Sequence, residues 1–206
     1  MTKKQRAKII IEELEKIYPE VPIPLNHDSP FQLLVAVALS AQTTDKKVNE
    51  IAPKLFEVAG DAFKMNLLEI DEIKYLIKQI GLSNKKAKNL KKLSELLIER
   101  HKGEVPQTFE ELEALPGIGH KTASVVMSQS FGVPAFPVDT HIHRLLKRWK
   151  ISEGKNVVQV EEDAKRIFPK KLWNKLHLQI IFYGREYSPA RGKGEKDFLT
   201  KMLFDK

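Results

Sequence analysis

Apolar residues recur along this chain at intervals of three and four, and helix start and stop signals interrupt them regularly, so the pattern predicts an all-α fold. Ile9, Ile10, Leu14 and Ile17 stripe a first helix, which Pro19 and the segment Val21-Pro22-Ile23-Pro24 bring to a stop. Ser29 followed by Pro30 reads as a helix cap with proline at the first helical position. The segment it opens, 31–39, is nearly all apolar, which places it centrally with most faces buried. Further helices are predicted at about 45–58, at 70–80 with Gly81 as the stop, and at 84–101 with Gly103 beyond it. Thr108 and Glu111 have capping-box spacing for a short helix ending near Ala114. After a break at Phe131-Gly132-Val133-Pro134, helices at about 140–149, 157–168 and 172–187 follow, and 188–196 reads as a basic loop. Val133-Pro134-Ala135-Phe136-Pro137 is a candidate hinge between two helical domains.

Charge narrows the class of partner. Lys and Arg number 35 against 27 Asp and Glu, a formal net charge of +8, so the surface should attract polyanions and nucleic acid is the first candidate. Part of that surplus has a plainer use, since a run such as Lys85-Lys86-Ala87-Lys88-Asn89-Leu90-Lys91-Lys92 reads as a solvated helix face. The absence of cysteine excludes disulfides, zinc–thiolate sites, cysteine-ligated iron–sulfur clusters and thiol nucleophiles. No secretion signal is seen, and the best apolar run, 33–41, is far short of the ~20 residues that cross a bilayer. The expectation is a soluble cytoplasmic protein with no membrane partner.

The candidate chemistry lies in Leu115-Pro116-Gly117-Ile118-Gly119-His120-Lys121-Thr122-Ala123, between two predicted helices. Proline fixes one dihedral while the glycines permit positive φ and a close backbone approach to a ligand, so Pro-Gly-x-Gly allows a tight hairpin. The amides of Gly117, Gly119 and the first turn of the next helix then point outward, and such a set binds phosphate through hydrogen bonds and the helix dipole. A bare Gly-x-Gly also suits a plain connector. Lys121 stands at a helix start, where the dipole disfavours a cation. Two roles are open to it: a salt-bridged or phosphate-binding surface residue, or an amine whose pKa is lowered by burial and the dipole so that it acts as a nucleophile. In Val138-Asp139-Thr140-His141-Ile142-His143, Asp139 is a good helix N-cap and is equally a candidate carboxylate partner for Lys121. Asp-x-His-x-His is not taken as a metal site, because residues two apart on a helix face different directions.

The stretch from Leu115 to Ala123, followed by Val138-Asp139-Thr140-His141, resembles the helix-hairpin-helix glycosylase superfamily and, within it, the endonuclease III branch. Leu39-Ser40-Ala41-Gln42-Thr43-Thr44-Asp45, Ile80-Gly81-Leu82, Gly103-Glu104-Val105-Pro106 and Gly154-Lys155-Asn156-Val157 resemble the same branch in the same order, so the resemblance spans nearly the whole chain. It implies two helical domains: a six-helix barrel with the helix-hairpin-helix at 23–134, and a second domain formed by 1–22 and 135–206, with a DNA-binding cleft between them. It implies Lys121 as catalytic nucleophile and Asp139 as catalytic carboxylate. Gln42 and Leu82 match residues that fill the space of an extruded nucleotide and wedge the opposite strand. The remaining DNA contacts it implies are Gly117, Ile118, Gly119, His120 and Thr122 of the hairpin, then His141 and Arg144, with Arg191 and Lys193 of the basic loop.

The implied activity is that of a monomeric bifunctional DNA glycosylase and AP lyase of base-excision repair. Its partner is double-stranded DNA containing damaged bases or abasic sites. Two other readings are open, a monofunctional mismatch glycosylase and a non-catalytic hairpin module; Lys121 argues against the first, and retention of both Lys121 and Asp139 against the second. In one respect the chain departs from the branch. Most members carry four cysteines after the last helix, holding a four-iron cluster, whereas here Ser188 stands where the first is expected, so no cofactor is expected.

Overall fold

The computed structural model describes residues 1–190 and 196–204, and among these it is helical, with no strand. The chain divides into two compact units, one formed by 23–132 and the other by 1–22 with 133–206.

In the unit 23–132, helix α2 (Pro30–Ser40) is central and packs on α3 (Asp45–Ala59), α6 (Ser83–His101) and α8 (His120–Ser130). Seven of its eleven residues are buried, as its nearly all-apolar sequence requires. Ser29 accepts a bond from the Gln32 amide at 3.2 Å, with Pro30 at the first helical position. Around it lie α4 (Ala62–Leu67), α5 (Ile70–Leu76) and α7 (Phe109–Glu113). Helix α4 is not foreseen by the sequence pattern, because six residues make fewer than two turns and bury only Ala62 and Met65, too few to show a period. Helix α5 stops at Leu76, short of the expected 80. Ile77 and Ile80 remain buried, but a turn carries them, with Ile80 N–H bonding to Ile77 O at 2.8 Å, so the apolar spacing outlasts the helix. Gly81 is therefore not the stop. Thr108 caps α7 by accepting from the Glu111 amide at 3.3 Å, while its hydroxyl donates to the Glu111 carboxylate at 2.6 Å.

In the other unit, α1 (Lys3–Ile17) packs on α10 (Val157–Ile167), α11 (Trp173–Glu186) and α12 (Phe198–Phe204), and α9 (Thr140–Arg148) lies against α10 and α11. The core joins Ile10 and Leu14 of α1 to Phe136, Trp149, Ile180 and Tyr183. Helix α12 is a second unforeseen element; it buries Leu199 and Leu203 and starts where Asp197 accepts from the Thr200 amide at 3.1 Å. No helix among the described residues is long and apolar enough to cross a membrane.

Candidate nucleic-acid interface and active site

The hairpin is built from the inside outward. Leu112, Leu115 and Ile118 are buried, and two short bonds, Leu115 N–H to Leu112 O at 3.1 Å and Ile118 N–H to Leu115 O at 3.2 Å, fold the chain back between them. With its side chain in the core, Ile118 has only backbone to offer a ligand. Gly117 has φ +81°, a conformation that favours glycine, and a Cβ there would have to displace the Asn89 side-chain amide, whose Nδ2 would lie 2.5 Å away. Gly119 is a different case, with φ −102° and open space where a Cβ would project. The expected positive φ thus belongs to Gly117 alone.

Gly119 is the N-cap of α8 and supplies no side-chain cap. The helix ladder begins with Ala123 N–H to Gly119 O at 3.0 Å, so the amides of Lys121 and Thr122 precede it and face an uncapped helix end. His120 is tied down at the same end: its Nδ1 lies 2.7 Å from Glu113 Oε1, and its ring stacks on Phe109 at 5.6 Å. Lys121 is exposed and Thr122 half-buried. The chain itself therefore does not supply the burial that one reading of Lys121 called on.

Because a side chain at Gly119 meets nothing and aspartate is a good N-cap, Gly119→Asp should leave thermal unfolding unchanged or slightly raised while adding bulk and negative charge where the backbone would approach phosphate. DNA affinity is expected to fall by more than roughly tenfold, uniformly across sequences. Unchanged affinity in a titration of undamaged duplex would reduce the hairpin to a connector.

Two further predicted residues share unusual backbone. Gln42 and Leu82 are exposed and left-handed, with φ 57° and 61°, a conformation uncommon for non-glycine residues and one that gathers at functional sites. Leu82 is 54% exposed, so it does not pack back on its own helix.

In the other unit, Asp139 is the N-cap of α9 and accepts from the Ile142 amide at 2.8 Å. His141 lies against Gly184, where a Cβ would come within 2.9 Å of its Nδ1. Burial lowers the His141 pKa; Asp139 pulls it up, and Arg144 and Arg185 push it down. Arg144 is engaged within the chain, donating to Ser188 Oγ at 3.2 Å and towards His141 Nδ1 at 3.3 Å and Gly184 O at 3.5 Å. Arg191 and Lys193 lie outside the described residues.

A cysteine-ligated cluster does not fit this chain, which has no thiolate to hold iron. Ser188 is instead fully buried in a polar knot around Asp197. Asp197 is 3% exposed and accepts from Arg148 Nη1 at 2.8 Å, the Tyr183 hydroxyl at 2.8 Å and Ser188 Oγ at 2.9 Å. Burial alone would raise its pKa, but these donors, with the Thr200 amide, outweigh it and hold the carboxyl below the usual range. The knot ties α9, the end of α11 and the start of α12 together.

Sequence reading missed Lys86, assigned to a solvated face yet only 7% exposed. The available signal was spacing: Lys86, Leu90, Leu93 and Leu97 lie on one stripe of α6, and all four are buried.

An all-α fold whose Gly-x-Gly hairpin opens into an uncapped helix defines a helix-hairpin-helix protein. The chain belongs to the HhH-GPD superfamily of base excision DNA repair proteins, whose model matches residues 35–170, and within it to the endonuclease III family. It is 44% identical to endonuclease III of Escherichia coli (strain K12) over 191 residues, which cover 93% of this chain and 90% of that protein. A structure of a trapped covalent intermediate of endonuclease III with DNA, an estranged-adenine complex, is similar with TM-score 0.89 and 40% identity, covering 93% of this chain and 91% of that one. A thermostable thymine-DNA glycosylase is similar with TM-score 0.83 and 25% identity, covering 95% of each chain.

Proposed function

We propose that this protein is a bifunctional DNA glycosylase and AP lyase that removes oxidised pyrimidines from duplex DNA through a Schiff base on Lys121, then cuts the strand by β-elimination. The observation that carries the reading is the uncapped start of α8, where Gly119 leaves the helix end open to phosphate and the exposed amine of Lys121 follows within the first turn. A structurally similar endonuclease III has been trapped as a covalent intermediate with DNA, which supports a covalent step in the reaction.

A base inside a duplex is out of reach, so the nucleotide is extruded, with Gln42 filling the vacated space and Leu82 wedging the opposite strand. The Lys121 amine attacks C1′, the C1′–N bond breaks and the base leaves with a proton. The sugar ring opens to a protonated Schiff base, loss of a 2′ proton follows, and the 3′ C–O bond breaks. Asp139 stabilises positive charge developing on the sugar and helps deprotonate the amine. The hairpin amides of Gly117, Gly119 and the α8 first turn grip backbone phosphate. His120, Thr122, His141 and Arg144 border the bound duplex, and Arg191 and Lys193 add phosphate contacts. We assign 23–134 as the hairpin-bearing domain and 1–22 with 135–206 as the second. The protein acts as a monomer in the cytoplasm without a cofactor.

Turnover on defined duplexes tests this. Thymine glycol and abasic sites are expected to be cut, with strand cleavage accompanying base release. Activity confined to uracil or thymine mismatches, without cleavage, would move the protein towards the mismatch glycosylases.

A further inference from the structure

Gln42 and Leu82 stand on two neighbouring turns, and both side chains are exposed, so neither is held by packing of its own side chain. A Cβ at Gly81 would lie 3.6 Å from Gln42 O and 3.8 Å from Thr43 Oγ1, so the turns abut through their backbones. Both central residues are exposed and left-handed, which for Gln and Leu is a strained state that the surroundings must impose.

Lys86 reaches both turns. The main-chain N–H of Lys86 donates to Leu82 O at 3.0 Å, in the first turn of α6. Its side chain runs inward, and Nζ donates to Leu39 O at 2.9 Å, Ala41 O at 2.7 Å and Thr43 Oγ1 at 3.3 Å, matching the three protons an ammonium has to give. Leu39 O belongs to the last turn of α2, where carbonyls lack helical partners and a cation is favoured by the dipole. Ala41 and Thr43 flank Gln42 on either side. Burial lowers the pKa of this amine, the expected consequence of taking a charge out of water, and the three acceptors offset that penalty.

We propose that Lys86 is a positioning residue for damage recognition: its ammonium locks the 41–43 turn against the 81–82 turn, so that Gln42 and Leu82 enter the duplex as one unit. The inference rests on the reading that those two side chains insert into DNA. It assigns the lysine no contact with substrate and no part in bond breaking.

The test compares Lys86→Met, Gln42→Ala and Leu82→Ala. Lys86→Met keeps the apolar stem and the main-chain bond to Leu82 O but removes the ammonium. Three readouts are taken at a temperature where each variant is folded: fluorescence of 2-aminopurine beside the lesion as a report of extrusion, affinity for undamaged duplex, and excision from a paired lesion against cleavage at an abasic site. Lys86→Met is expected to lose the 2-aminopurine signal and to slow excision from the paired lesion by roughly tenfold or more, with abasic cleavage and undamaged-duplex affinity held within roughly threefold. A lysine needed only for stability would lower both reactions equally, and that result overturns the proposal. So does full extrusion by Lys86→Met where Gln42→Ala and Leu82→Ala lose it. If Gln42→Ala and Leu82→Ala extrude normally, the insertion reading itself fails and the proposal falls with it. Should Lys86→Met not fold, Thr43→Val removes one acceptor and leaves the charge in place. It is expected to show the same split between paired and abasic substrates at roughly two- to threefold, and an equal loss on both overturns the proposal.

Discussion

Lys121→Gln is expected to abolish covalent trapping on abasic DNA under borohydride, and to reduce strand cleavage by at least roughly a thousandfold, because no other change removes the nucleophile so directly. A Schiff base is an iminium that borohydride reduces to a stable amine, so the wild-type protein should give a DNA adduct of reduced mobility. Glutamine preserves much of the length and polarity of lysine but has no amine to attack C1′. The side chain is exposed at the second position of α8, so its replacement disturbs no core packing. The fold should gain slightly, since a cation at a helix N-terminus opposes the dipole; removing it is expected to stabilise by up to about 0.5 kcal/mol. An inactive variant that unfolds no more easily than wild type is the signature of a residue kept for chemistry at the expense of stability. Lesion-duplex affinity should stay within roughly threefold, because the hairpin amides are untouched. Failure of the wild-type protein to trap on any abasic duplex, or trapping by Lys121→Gln at the wild-type rate, would remove Lys121 as nucleophile.

The parts of this protein legible in sequence are those governed by local rules. The apolar run of α2 announces a buried helix, Ser29 and Pro30 announce its start, and the hairpin announces itself because glycine and proline have few substitutes at such turns. What stayed hidden depends on residues far apart in the chain. Lys86 sits among lysines of which Lys85, Lys88 and Lys92 face solvent, and only the placement of α2's last turn beside it makes its burial tolerable. The left-handed turns at Gln42 and Leu82 carry no composition signal, since neither residue type favours positive φ. Ser188 and Asp197 read as parts of a basic loop and its sequel; their role appears only once Arg148 and Tyr183 close around them. Helix α12 depends on the same knot, because seven residues with two buried leucines give too short a period to stand out.

Asp139→Asn is expected to slow base release by roughly two orders of magnitude or more while leaving the fold intact, and the structure shows how to separate chemistry from capping. Asp139 Oδ1 accepts from the Ile142 amide at 2.8 Å at the start of α9. Asparagine retains a carbonyl oxygen that makes the same bond, so Asp139→Asn should match the wild type in urea unfolding. Asp139→Ala loses the cap and should be destabilised by about 1 kcal/mol. If capping were its only role, activity would track stability: asparagine would be harmless and alanine mildly harmful. If the carboxylate acts on the reaction, both variants should lose base release to a similar extent despite their different stabilities. The substrate provides a second separation. An abasic site has no base to expel, so the charge that develops during base departure is absent, and Asp139→Asn should retain measurable borohydride trapping there while Lys121→Gln shows none. Single-turnover kinetics on a thymine glycol duplex and on an abasic duplex distinguish these outcomes. Base release by Asp139→Asn at the wild-type rate would leave Asp139 as the cap of α9 and nothing more.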